Sequence, residues 1–220
     1  MTQKIVIFGL GDIAEIAHFY FTQDNNIEIV AFTVDKEYID KDKFCNLPVI
    51  AFEEIEKAYP PSEYKMFIAV SYAKLNQVRT QKYQEAKAKG YTFISYISPQ
   101  ATVAANAQIG ENSLIFEDNT VQPFVKIGNN VTLWSGNHIG HHSVIEDNCF
   151  IASHVVISGG CTIGEYTFIG VNATLRDHLK IGKKCIIGAG AIIMKNTEEE
   201  SVYVPEFTKV YGKKSSEVRL

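Results

Sequence analysis

From Val103 to Ile193 an aliphatic residue returns at every sixth position without a break. Two positions before each stands a compact residue, running from Ala101 through Ser113, Asn119, Cys149 and Cys161 to Ala191, with Leu179 the bulky exception. A helix repeats every ~3.6 residues and a half-buried strand every ~2, so neither explains a period of six. A hexad sustained this long predicts a β-solenoid, with the aliphatic pointing into a prism and the compact residue beside it at a corner. Three hexads close one triangular coil. Residues eighteen apart therefore stack, and the stretch predicts about five coils separated by the ~4.8 Å strand spacing.

The first ninety-eight residues follow another pattern. KIVIFGL (4–10), IEIVAFTVD (27–35), KMFIAV (65–70) and TFISYI (92–97) are apolar, β-branched runs and predict buried strands. IAEIAHFYF, EEIEKAY and KLNQVRTQKYQEAKAKG (74–90) predict helices, the second stopped by Pro60 and Pro61 and the third by Gly90. Strands alternating with helices imply a parallel α/β sheet. The expected organisation is an α/β Rossmann-like domain over 1–98, a solenoid over 99–195 and a tail over 196–220. The solenoid carries outward apolar residues, Phe124, Trp134, Phe150, Val156 and Phe168, that predict subunit contacts and a homotrimer about the prism axis.

Composition narrows the function. A net charge of −4 offers no footprint for nucleic acid or an anionic membrane. No run of 18 apolar residues predicts a membrane span, and MTQKIVIFGLGD lacks the layout of a signal peptide, so the expected compartment is cytoplasmic. Cys149, Cys161 and Cys185 fall in the compact inward column and read as small core residues rather than ligands or disulfide partners.

Two places carry candidate chemistry. Gly9-Leu10-Gly11-Asp12-Ile13-Ala14 lies between a strand and a helix in the G-x-G-x-x-A pattern that lets backbone approach a diphosphate. Asp35 ends the second strand, where an acid can bind a ribose hydroxyl or a base, although Asp12 within the loop opposes phosphate. The small domain favours a single nucleotide over a full dinucleotide. On the solenoid, His138, His141, His142 and His154 crowd one coil. An imidazole there suits a general base, and Gly159, eighteen residues beyond His141, places a backbone N–H where an oxyanion would form. The column Trp134, Ala152, Gly170, Gly188 passes from bulky to bare and predicts a groove for a thin, extended ligand, with Asn172 stacked on His154. A zinc site on the histidine pairs is the alternative, but no acid or thiol stands poised beside them, so no metal is expected.

These residues resemble the left-handed β-helix acyltransferases of the hexapeptide-repeat superfamily, in the sialic-acid O-acetyltransferase-like branch that includes bacterial nucleotide-sugar N-acetyltransferases. The resemblance implies that His141 is the general base and Gly159 the oxyanion donor. It places His142 where the family has an acidic partner for the base, so Glu146 or Asp177 becomes a substitute candidate. It implies that Trp134, Ala152, Gly170, Asn172, Gly188 and Ala189 line the acetyl-CoA wall. It further implies that Gly9, Gly11, Asp12, Ile13, Asp35, Lys36 and Arg79 hold the nucleotide of a UDP- or dTDP-linked amino sugar. Trp134 stands where relatives tend to have a small polar residue, and the usual G-V-P-A-K ending survives only as Tyr203-Val204-Pro205-Glu206-Phe207-Thr208-Lys209. The expected reaction is direct acetyl transfer to an amine. Sugar O-acetylation, a non-catalytic nucleotide-sugar scaffold and a zinc hydrolase are the competing readings.

Overall fold

A computed structural model describes residues 2–206, 208–210 and 212–218; Phe207 of the ending above lies outside them. The N-terminal unit is a sheet of order β3-β4-β2-β1-β5, built from β1 (Gln3–Phe8), β2 (Ile27–Val34), β3 (Lys43–Phe44), β4 (Leu47–Ala51) and β5 (Lys65–Ile68). All pairings are parallel except the short β3–β4 hairpin. Helices α1 (Asp12–Phe21), α2 (Ile55–Ala58) and α3 (Gln77–Ala88) complete it. β1 is bonded to β2 on one side and β5 on the other. The chain thus leaves β1 in one direction and returns on the other, which opens a crevice at the carboxyl ends of β1 and β5. Ile5, Ile7, Phe21, Phe32 and Phe67 fill one side of the sheet, and Val6, Met66, Ile68 and Tyr83 the other.

Two expectations for this unit change. The third helix begins at Gln77, because Lys74, Leu75 and Asn76 take left-handed conformations in succession (φ 50°, 52° and 63°). Three such residues cost about 1–2 kcal/mol each. The turn lies between Tyr72, whose ring packs on Phe150 and Phe168 with centroids 4.9 and 5.0 Å apart, and α3. The 92–97 run does not form a strand of this sheet. Phe93 makes a single bridge to Met66, and Tyr96–Ile97 pairs with Leu114–Ile115 as the first rung of the solenoid.

The solenoid has three parallel sheets of six, five and seven two-residue strands. The first face runs from Thr102–Val103 to Ile192–Ile193, the second from Gln108–Ile109 to Lys180–Ile181, and the third from Tyr96–Ile97 to Val202–Tyr203. Pairing is always eighteen residues apart in the hexad region, as in His138↔Val156 and Ile139↔Ile157. The aliphatic column is buried from Ile115 to Ile193, and Cys149, Cys161 and Cys185 are wholly inside. Val202–Tyr203 pairs with Ile186–Ile187, so the solenoid gains a final rung from the tail.

Each corner is a tight turn whose third residue is left-handed. From Asn112 to Gly190 every sixth residue has positive φ, and Asn, Asp, His and Gly fill most of these places. Those residues tolerate this region best. Asn112, Asn130 and Asn148 form an amide ladder along one corner, and Asn112 Oδ1 accepts the Ile68 N–H at 2.7 Å, tying β5 to the solenoid.

The N-terminal unit rests on the third face. It buries Leu114, Phe116 and Phe150 almost completely, worth about 1.5–3 kcal/mol for each. Phe116 also packs on Trp134 with centroids 4.9 Å apart. Trp134, Phe150 and Phe168 therefore pack within the chain, Phe150 almost completely and the other two in part. Phe124 and Val156 remain exposed.

Candidate active site

His141 and His142 are the two central residues of the turn that joins the first face to the second, closed by Ser143 N–H donating to Gly140 O at 3.3 Å. His141 N–H donates to Gln122 Oε1 at 2.8 Å. Its ring lies against the Cα of Gly159 in the next coil. A Cβ built at Gly159 would stand 2.7 Å from both Nε2 and Cε1 of His141, so only glycine leaves room for the imidazole there. Gly159 N–H donates to no group among the described residues. A base and a free N–H thus share one corner. His142, at φ 59°, turns its Nδ1 to within 3.1 Å of His141 Nδ1 and stacks on Phe124, with centroids 4.6 Å apart and planes at 27°.

Neither substitute acid is bonded to His141. Glu146 Oε2 accepts the Glu165 N–H at 3.1 Å, and Asp177, mostly exposed, lies 3.9 Å from Arg176 Nε. The inward thiols are unsuited to carry an acyl group. Burial pushes Cys149 up to about 12 and raises Cys161, and the three sulfurs donate to Gly164 O, Arg176 O and Glu198 O. No three His, Cys, Asp or Glu side chains converge as a metal site among the described residues. No helix there is long and apolar enough to cross a membrane.

The glycine loop forms a second centre at the crevice beside β1. A cleft of about 600 Å³ is lined by Gly9, Gly11, Asp12, Ile13 and Asp35, together with Tyr72, Lys82 and Trp134. Gly9, at φ 124°, has Ala69 O where a Cβ would stand, at 2.6 Å, so the loop lies hard against the end of β5. Gly11 caps α1, so the partly positive end of that helix lies at the cleft. Lys82 Nζ bonds Asp35 Oδ1 and Glu85 Oε2, both at 2.7 Å. Burial lowers its pKa, but the two carboxylates outweigh that and raise it overall. Trp134 brings the solenoid into this cleft and also walls a smaller one, of about 440 Å³, with Asp12, Glu15 and Glu117.

Several expected placements change. Arg79 does not reach the cleft. It is buried, and its guanidinium donates to Thr132 Oγ1 (2.6 Å), Asn130 O (3.0 Å) and Cys149 O (3.2 Å), joining α3 to the solenoid. Burial lowers its pKa to about 10. The cation of α3 that does line the cleft is Lys82, one turn further on. Lys36 lies outside the cleft, on an open depression of about 910 Å³, and its N–H is held by Glu53.

The bare column is glycine where successive rungs approach most closely. A Cβ at Gly170 would meet Ala189 N at 2.6 Å, and one at Gly188 would meet Tyr203 O at 2.8 Å, because these glycines sit under the backbone of the next rung. Ala152 is buried, Asn172 is a left-handed corner residue whose N–H donates to Ser153 O, and Trp134 faces the N-terminal unit. Lys82, Gln122 and Phe124 are site residues that sequence reasoning missed. For Phe124 the signal was available: it lies eighteen residues before His142.

Comparison with known proteins agrees with this architecture. The family described as "Bacterial transferase hexapeptide (six repeats)" matches residues 124–159 and 160–195. No curated protein sequence matches the chain. Among solved structures, the acetyltransferase domain of PglB from Neisseria gonorrhoeae is 25% identical, with a TM-score of 0.82 over 91% of this chain and 96% of that one. PerB from Caulobacter crescentus, in complex with CoA and GDP-perosamine, is 19% identical, with a TM-score of 0.81 over 92% and 94%. WeeI from Acinetobacter baumannii is 20% identical, with a TM-score of 0.79 over 91% and 96%. The solenoid is a left-handed parallel β-helix of this kind.

Proposed function

We propose that this chain, whose solenoid carries the bacterial transferase hexapeptide repeat, is an acetyl-CoA-dependent N-acetyltransferase acting on the amino group of a nucleotide-linked amino deoxysugar. The observation that carries the reading is His141 packed against Gly159, whose N–H finds no partner among the described residues. The amine attacks the thioester carbonyl, forming the C–N bond while the carbonyl electron pair moves to oxygen. Gly159 N–H stabilises that oxyanion. His141 Nε2 takes the amine proton and returns it to the sulfur as the C–S bond breaks. Burial of Cys149, Cys161 and Cys185, with the first two thiols also raised in pKa by it, supports direct transfer without an acyl-enzyme.

The nucleotide of a UDP- or dTDP-linked sugar occupies the glycine-loop cleft, held by Gly9, Gly11, Asp12, Ile13 and Asp35. This cleft and His141 lie at different corners of one coil, with the first face between them. The reading therefore places each reaction centre between two copies of the chain in a homotrimer, with the corner of Ala152, Asn172 and Ala189 along the acetyl-CoA. Resemblance to PerB, which binds CoA and GDP-perosamine, supports both substrate classes.

The test is release of free thiol from acetyl-CoA with a panel of nucleotide-linked 3- and 4-amino sugars. Turnover is expected with at least one of them, and His141→Ala is expected to lower kcat by about 10²–10⁴. Turnover only with hydroxy sugars would replace the reaction with O-acetylation. Nucleotide binding without turnover on any acceptor would make the chain a scaffold.

A further inference from the structure

We infer that His142 is the positioning residue of the base, a neutral imidazole in the place of a carboxylate that holds the proton of His141 on Nδ1 and leaves Nε2 free. The inference rests on the reading of His141 as the base and deepens it. The two Nδ1 atoms are 3.1 Å apart, a hydrogen-bond distance that accommodates one proton between them. When His141 Nδ1–H donates to His142 Nδ1, His141 carries its lone pair on Nε2, beside the Gly159 N–H. In the reverse arrangement His141 would hold its proton on Nε2 and could not accept another there.

Three further features fix the pair. His142 occupies the left-handed corner place, so its backbone directs the ring back over the turn rather than along the face. Phe124, eighteen residues earlier, stacks on His142 and limits rotation of its ring. Gln122 Oε1 anchors the His141 backbone through its N–H. When His141 takes the amine proton, the resulting cation is shared with His142 across Nδ1–H···Nδ1, and the Phe124 face stabilises the positive charge that reaches His142. The coil below presents Gln122, Pro123 and Phe124, and the coil above presents Gly159 and Gly160. A doubly protonated pair would bring two N–H groups head to head.

The experiment measures kcat and both KM values for His142→Gly, His142→Asn and His142→Asp across a pH series, with His141→Ala as the control. Glycine suits the left-handed backbone best but has no acceptor, whereas Asn and Asp suit it and present one. The expected result is a fall in kcat of at least tenfold for His142→Gly with both KM values within about twofold, and substantial recovery in His142→Asn. The acid limb of kcat should lie at higher pH in His142→Asp than in His142→Asn, because a carboxylate favours the protonated base. Full activity in His142→Gly, or equal loss in Gly and Asn, would overturn the inference. If His141→Ala itself retains turnover, the base assignment fails instead. A dead His141→Ala beside a fully active His142→Gly removes this inference alone.

Discussion

Arg79 Nη1 donates to Thr132 Oγ1 at 2.6 Å, across the junction between the α/β unit and the solenoid. Among the described residues no carboxylate accompanies this buried cation. Its acceptors are one hydroxyl and two carbonyls, and its Nε has no partner. Arg79→Ala leaves a cavity and at least two unpaired acceptors, and is expected to cost about 2–4 kcal/mol of stability. Arg79→Lys should recover only part, since an ammonium cannot span the three acceptors as a planar fork does. Urea unfolding measures the loss. The nucleotide-sugar KM of the folded variant should stay near that of the parent, and a large rise would return Arg79 to the substrate site.

Lys82 holds Asp35 from the opposite side of the cleft wall. Lys82→Met frees that carboxylate to move and removes the one cation that lines the cleft among the described residues. A loss of about 1.4 kcal/mol in substrate binding corresponds to a tenfold rise in nucleotide-sugar KM. The KM for acetyl-CoA should not follow, and parallel changes in both constants would place Lys82 elsewhere in the mechanism.

Gly159→Ala is a steric test of the reaction corner. The added methyl would displace the His141 ring, and a misplacement of about 1 Å costs about 10²-fold in kcat. The φ at this position is not in the left-handed region, so thermal stability should change little. A variant as active as the parent would mean that the ring is not used where it now lies.

The cysteines give a chemical test. Only Cys45 among the four is partly exposed. Native protein should present one slowly reacting thiol to a disulfide reagent and four after denaturation. Alkylation of Cys45 should leave transferase turnover intact. Fast inactivation by labelling of Cys149, Cys161 or Cys185 in the native state would contradict direct transfer.

Alkaline pH should weaken the fold. Burial and the Glu117 carboxylate push the Tyr20 hydroxyl up to about 12, and burial does the same for Tyr83 and Tyr91, with Glu111 and Glu56 adding to it. A raised folded pKa contributes stability that is fully present below the unfolded value near 10 and is lost as pH rises through about 12. Arg79, lowered to about 10, acts in the opposite sense over part of that window. Unfolding free energy measured between pH 9 and 12 should fall, and Tyr20→Phe should flatten the slope.

The repeat made the solenoid legible because one physical constraint, an aliphatic residue filling the prism at every coil, is written into the chain at a fixed interval. The pairing register, the inward cysteines and the stacking of Gly159 on His141 all follow from the same arithmetic. The α/β strands were legible for a similar reason, since a buried parallel strand must be almost wholly apolar. Other features depended on packing that the sequence does not encode locally. Phe150 and Phe168 look like subunit contacts until the α/β unit is seen to cover that face. Gly170 and Gly188 look like empty space, whereas the neighbouring rung occupies it. Arg79 and Lys82 are one helical turn apart, and only the docking of α3 decides which meets the solenoid and which the cleft. His142 was already marked by its place after His141, but its contact with the base was not, because a corner conformation rather than a residue motif turns its Nδ1 toward His141.

The uniform coil also makes the solenoid a ruler. Its rungs are about 4.8 Å apart, so its length changes only in whole steps. The α/β unit lies beside the third face and bonds Thr132 and Asn130 next to the coil that carries His141, so the cleft and the His141 turn share one height. Eighteen residues added or removed past Leu175 would lengthen or shorten the wall by one step, keep every left-handed socket in phase and leave both centres where they are.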